Sequence, residues 1–218
     1  MRGIFITGTD TDVGKTYIAC KLARQLTSEG LKVIPKKPIE SGCQNKDGEL
    51  IPADASALKL AGAYDGDLSD VCAYRFEAPL SPVRAAGMKN QRITIKQLEH
   101  ACQHNTDAGF ALIEGAGGFY SPLATDGLNA DLAKALQLPV LLVANDRLGC
   151  INQILLTAEA ISNRGLKLAA VVLNKKYSTN NQEMDNAEDL RGYISAPIYQ
   201  IENNQETLVA LSRHLQSL

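Results

Sequence analysis

Short apolar runs alternate with helix-period segments along nearly the whole chain, and this alternation constrains the fold more than any other feature. "GIFITG" (3–8) has the pattern of a buried parallel strand ending in glycine. After it, Ala19, Leu22, Ala23 and Leu26 repeat at helical spacing, and Gly30 stops the helix. "LKVIPKKPI" (31–39) reads as a second strand broken by Pro35 and Pro38, 40–53 as loop, and "DASALKLAG" (54–62) as a helix opened by Asp54. Residues 63–93 are turn-rich. A helix follows at 94–104, a strand in "FALIEGAGG" (110–118), a helix in "NADLAKALQL" and a strand in "PVLLVAN" (139–145). A helix over 149–165, a strand over 168–175, a helix near 184–193, a strand near 197–201 and a helix near 205–216 complete the series. The pattern predicts a single α/β domain over residues 1–218, with a mostly parallel sheet and helices on both faces. Ligands of such sheets bind at the carboxyl ends of the strands. The loops to inspect are therefore 8–16, 36–42, 114–120, 145–152 and 174–177.

Bulk properties exclude several classes. The 218 residues carry a formal charge of -2, with no basic arm or stripe for nucleic acid. No apolar run approaches the roughly 18 residues of a membrane span. The opening "MRGIFITGTD" runs straight into a strand, which predicts no signal peptide. Cys20, Cys43, Cys72, Cys102 and Cys150 form no C-x-x-C pair and read as reduced thiols of a cytoplasmic protein. His100 and His104 stand four apart, but their Gln and Asn neighbours favour a surface helix over a metal site.

The loop "GTDTDVGKT" (8–16) departs from the usual G-x-x-x-x-G-K-[ST] pattern, because Gly8 comes one residue early and Thr9 fills its slot. The physical requirements are still met. Gly14 permits close backbone approach, Lys15 supplies a cation, and Thr16 supplies a hydroxyl for Mg²⁺. The loop also joins a strand to a helix whose positive end faces the anion. A variant P-loop NTPase-like site for ATP is the expectation. Its acceptors for Mg²⁺ would include Glu114, a charge placed after four apolar residues. "GAGG" behind it lets backbone approach a phosphate. Asp54 is either a second metal ligand or a simple helix cap. Lys36 and Lys37 point to opposite faces of a strand, so at most one faces the site; two solvated lysines are the alternative.

The guanine signature N-K-x-D is absent: "NKKY" (174–177) lacks the Asp, which favours ATP and leaves Asn174 for an adenine edge. "TDTDV" ahead of Gly14 also lacks the early Lys of partitioning-type switch ATPases.

Five separated stretches, "GTDTDVGKT", "KKPIESG", "DASAL", "IEGAGG" and "LGCINQILLTAEAI", together resemble the dethiobiotin synthetase family. The resemblance runs in order from residue 3 to about 175 and implies the following. One amine of 7,8-diaminononanoate (7,8-diaminopelargonate) takes up CO₂ as a carbamate. A carbamate oxygen attacks the γ-phosphate of ATP, giving a carbamic–phosphoric anhydride. The second amine closes the ureido ring and expels phosphate. Lys15 and Lys37 would be the catalytic cations. Thr16, Asp54 and Glu114 would hold Mg²⁺. Asp12, Val13, Gly14, Lys15, Thr16, Tyr17, Asp54, Glu114, Gly115, Ala116, Gly117, Asn174 and Lys175 would surround the nucleotide. Thr11, Asp12, Ser41 and Gly118 would face the diamine. Gly149, Cys150, Ile151 and Asn152 would bind its carboxylate tail from the neighbouring subunit of a homodimer. Cys150 would be a packing residue, not a nucleophile. The chain departs from the family at "IENN" (201–204), near the expected adenine contacts.

Two other readings compete. A cobyrinate-type amide synthetase carries a glutaminase domain, for which this length leaves no room. A P-loop switch ATPase of the partitioning type would need the missing early Lys and a partner surface.

Overall fold

The computed structural model describes residues 1–103, 109–175, 184–202, 205 and 207–218. In chain order the elements are β1 (Arg2–Gly8), α1 (Lys15–Ser28), β2 (Val33–Lys36), β3 (Ile39–Ser41), β4 (Gln44–Lys46), β5 (Glu49–Ile51), α2 (Ala53–Ala61), α3 (Leu68–Val71), β6 (Tyr74–Phe76), α4 (Pro82–Met88) and α5 (Ile95–Gln103). They continue with β7 (Phe110–Gly118), β8 (Pro122–Ala124), β9 (Gly127–Leu128), α6 (Asn129–Leu136), β10 (Val140–Asn145), α7 (Cys150–Asn163), β11 (Leu168–Lys175), α8 (Asn186–Leu190), β12 (Ile198–Glu202) and α9 (Val209–Gln216).

Six strands form one sheet in the order β12-β11-β10-β1-β7-β2, and every pairing in it is parallel. Side chains alternate across β1. Ile4 and Ile6 turn to α1, α2 and α9, where Ile18, Leu22, Leu26, Leu58 and Leu211 bury them. Phe5 turns the other way, into the layer with Leu98 of α5, Leu132 of α6 and Ile154 of α7. Burial on both faces explains why the central strands are apolar without alternation. The chain leaves β1 toward β2 on one side and returns past it to β10 on the other, so a crevice opens at the carboxyl end of β1.

The α/β expectation holds, with local corrections. The strand read over 31–39 splits. β2 ends at Lys36, and β3 leaves the main sheet to pair with β6. Pro38 has no N–H to continue the ladder, whereas Pro35 is tolerated because β2 is the sheet edge. The stretch 40–53 is not plain loop: β4 and β5 form an antiparallel hairpin. The helix expected near 184–193 covers only Asn186–Leu190, with the Asp185 carboxylate capping it through the Glu188 N–H. Lys176 and Tyr177 of "NKKY", Asn203 and Asn204 of "IENN", and His104 lie outside the described residues. Among the described residues no helix is long and apolar enough to cross a membrane.

Candidate active site

A cavity of about 1020 Å³ opens at the carboxyl end of β1. The loop after β1 forms its floor. Asp12 and Gly14 both adopt positive φ, 56° and 95°. An added Cβ on Gly14 would fall 2.1 Å from Asn174 Nδ2, so both the conformation and the space require glycine. Gly14 occupies the N-cap position of α1, and no side chain caps that end. The orphan N–H groups of the first turn are therefore available to an anion.

Lys15, only 7% exposed, lies over the loop and donates from Nζ to the Asp10 carbonyl at 2.9 Å. Burial, reinforced by the Lys37 charge, lowers its ammonium to a pKa of about 8. Thr16 Oγ1 donates to Glu114 Oε1 at 2.8 Å. Glu114 is buried at 1% exposure; its Oε1 also accepts from Lys37 Nζ at 2.6 Å, while its Oε2 is buried with no partner. Lys37 Nζ further donates to the Gly115 carbonyl at 3.0 Å and stands 3.3 Å from Asp54 Oδ2. Burial pulls the Lys37 ammonium down, but the Glu114 and Asp54 carboxylates outweigh it, and the net shift is upward. Lys37 is therefore a fixed cation clamped between two acids.

Of the lysine pair, Lys37 faces the cavity and Lys36 does not, but neither is solvated. Lys36 is 1% exposed and donates from Nζ to the Asp70 carbonyl at 2.8 Å. Its burial lowers the ammonium's pKa. The simple-cap reading of Asp54 is corrected as well. Pro52 stands at the N-cap of α2, Asp54 lies within the first turn, and the capping acceptor is Glu40. Glu40 Oε1 accepts from Asp54 N at 3.0 Å and Oε2 from Ala55 N at 2.9 Å.

Thr11, Asp12, Tyr17, Ser41, Ala116 and Gly117 also line the cavity. Ser41 Oγ donates to the Leu80 carbonyl at 2.6 Å, which holds the apolar wall made by Pro79, Leu80 and Pro82. Asn174 reaches the cavity, but its Nδ2 donates to the Val13 carbonyl at 2.9 Å, so its first task is to fix the loop. Its Oδ1 is buried without a partner. Val13 itself is buried.

Lys175 and Gly118 do not line the cavity. Lys175 pairs with Glu202 at 3.6 Å, and the Gly118 backbone is engaged by Ser121 and Asn129. Gly149, Cys150, Ile151 and Asn152 do not line the cavity either. Gly149, with φ 88°, starts α7, and the buried Cys150 thiol is pushed up by burial, which suits packing and not nucleophilic attack.

Sequence reasoning missed Glu40 and Asn129. Glu40 had a signal: α2 begins "IPAD" with no acceptor at Pro52, so the capping group had to come from elsewhere. Asn129 is fully buried under "GAGG", where its Oδ1 accepts from Ala116 N at 2.9 Å and its Nδ2 donates to the Ala116, Gly118 and Ser121 carbonyls.

The chain resembles known proteins over most of its length. A family model described as an AAA domain matches residues 2–209. An ATP-dependent dethiobiotin synthetase BioD of Vesicomyosocius okutanii is 38% identical over 218 residues, covering 100% of this chain and 97% of the relative. The protein of the same name from Ruthia magnifica is 42% identical over 175 residues, 80% of each chain. The chain belongs to the dethiobiotin synthetase family. A third member, from Anaeromyxobacter dehalogenans, is 43% identical over 176 residues, covering 80% of this chain and 77% of the relative. Among solved structures, the MinD cell division protein of Aquifex aeolicus aligns with a TM-score of 0.55 at 16% identity, covering 97% of this chain and 86% of that one. The same organism's MinC:MinD complex gives 0.57 at 14% identity, covering 99% and 86%. At that identity the likeness describes the shared fold alone.

Proposed function

We propose that residues 1–218 form one ATP-dependent synthetase domain. It closes the ureido ring of dethiobiotin from 7,8-diaminononanoate, CO₂ and ATP, releasing ADP and phosphate. Family membership supports the reaction. The observation that carries the assignment of the site is Lys37, clamped between Glu114, Asp54 and the Gly115 carbonyl at the mouth of a phosphate-binding loop.

The residues suit Mg²⁺. A hard cation seeks a few oxygen ligands and keeps several waters. Thr16 Oγ1, the unpartnered Glu114 Oε2 and the half-exposed Asp54 carboxylate are such oxygens. Bound there, Mg²⁺ would neutralise charge on the β- and γ-phosphate oxygens. The α1 N–H groups and Lys15 bind the phosphates. Carbamate and triphosphate repel each other, and Lys37 lies where a cation can hold both. With its proton donated to Leu80 O, the Ser41 oxygen remains an acceptor for a substrate amine N–H. Thr11 and Asp12 border the same space and face the diamine, while the Pro79–Pro82 wall receives its hydrocarbon chain. Asn174 Oδ1 is an acceptor for the adenine amino group.

Leu148, the first residue of the "LGCIN" segment, is 81% exposed, and Leu156, farther along α7, is 60% exposed. They support a homodimer in which that segment serves the neighbouring site. The protein is read as cytoplasmic, with small-molecule substrates and no nucleic-acid partner.

Incubation with ¹³C-bicarbonate, the diamine, ATP and Mg²⁺ tests the reaction. The expected product is a cyclic urea carrying the label. Recovery of unchanged diamine beside ATP hydrolysis would reject it in favour of a switch ATPase.

A further inference from the structure

We infer that Glu40 is a positioning residue that sets the Asp54 carboxylate by capping α2 from outside the helix. The first N–H groups of a helix need acceptors. Pro52, at the N-cap, has no side-chain acceptor. Glu40 comes from β3, fourteen residues before Asp54, and takes both the Asp54 and Ala55 N–H groups with one oxygen each. It is 6% exposed and borders the cavity. Both its oxygens are directed at backbone, which distinguishes it from the Glu114 carboxylate with its bare Oε2. Because Asp54 itself supplies one of the capped N–H groups, the cap fixes the residue whose carboxylate stands 3.3 Å from Lys37. Glu40 thus joins β3, α2 and the Lys37 cluster, with no contact to substrate required.

The inference rests on the reading of Asp54 as a metal ligand, and the test separates the two. Amide hydrogen exchange on the unliganded protein reads the cap. Mg²⁺-dependent tightening of ADP, measured by calorimetry, reads its consequence. In Glu40→Ala, Asp54 and Ala55 lose protection, and the Mg²⁺ needed for half-maximal tightening rises about 5- to 30-fold, the range a lost cap implies. ADP affinity without Mg²⁺ stays near wild type. Glu40→Gln, which keeps one acceptor and the side-chain shape, gives an intermediate shift and serves if Glu40→Ala does not fold. Adding Pro52→Ser to Glu40→Ala supplies a local cap and restores most of the Mg²⁺ response. Asp54→Asn is the reference. If Asp54→Asn leaves the Mg²⁺ requirement unchanged, the ligand reading fails. If Asp54→Asn raises it and Glu40→Ala does not, the positioning role fails. A shift in Glu40→Ala that Pro52→Ser leaves untouched would make Glu40 a direct ligand or charge and overturn the capping account.

Discussion

Removing the Lys37 ammonium while leaving its partners in place is the sharpest perturbation the site offers. Lys37→Met keeps the stem volume and deletes a charge bound to Glu114 Oε1, the Gly115 carbonyl and Asp54. Breaking one side of a buried ion pair costs about 3–5 kcal/mol. For a chain of this size that corresponds to roughly 6–20 °C in Tm. The orphaned acids should then gain from Mg²⁺, so millimolar Mg²⁺ recovers part of the Tm in the variant and less in wild type. Catalytically, losing a preorganised charge that meets the developing phosphate costs about 10²–10³ in kcat, with ADP affinity changed far less. Lys36→Met is the control. It deletes the bond to the Asp70 carbonyl, for about 1–3 kcal/mol of stability, and spares kcat. Differential scanning calorimetry with and without Mg²⁺, beside steady-state phosphate release, reads all of this. Equal kcat losses for the two lysines, or a Lys37→Met Tm indifferent to Mg²⁺, would refute the reasoning.

Gly14→Ala should lower ADP affinity at least tenfold, because the left-handed φ costs about 1–2 kcal/mol and the new Cβ displaces the Asn174 amide; titration calorimetry giving wild-type affinity would contradict this. Lys15 is charged below its unliganded pKa of about 8 and neutral above it. A bound phosphate favours the ammonium. ADP affinity is therefore full below that pH and falls as pH rises through it, with proton uptake on binding at about pH 9. Calorimetry in buffers of different ionisation enthalpy should show that uptake, and Lys15→Met should abolish it. Asn129→Ala should cost at least ~1–3 kcal/mol through the orphaned "GAGG" backbone groups, read as a Tm fall of roughly 2–12 °C; an unchanged Tm would remove Asn129 from its supporting role.

Most of the fold was legible because the central strands are buried on both faces and the helices on one, giving two different periods along the chain. The region 40–93 was harder. Its strands are three residues long, too short to show a period. The Asp47–Gly48 pair does carry a hairpin signal, and both residues adopt positive φ in the turn between β4 and β5. Lys15, Thr16 and Glu114 could be found because each sits at a strand end or beside Gly14. Lys36 was legible only as the lysine turned from the site. Its burial depends on α3, whose four residues give no periodic signal. Glu40 and Asn129 act on backbone far away in sequence, so their roles depend on tertiary contacts. The Lys175 side chain turns to Glu202 because β11 and β12 pair in parallel there, a register that spacing alone does not reveal.

The most direct test of the central claim is phosphate release from ATP, Mg²⁺ and bicarbonate, with and without 7,8-diaminononanoate. The account predicts release only with the diamine, one phosphate for each ring closed, because the γ-phosphate is attacked by a carbamate oxygen and not by water. Release at the same rate without the diamine would contradict it and leave a nucleotide hydrolase on the same fold.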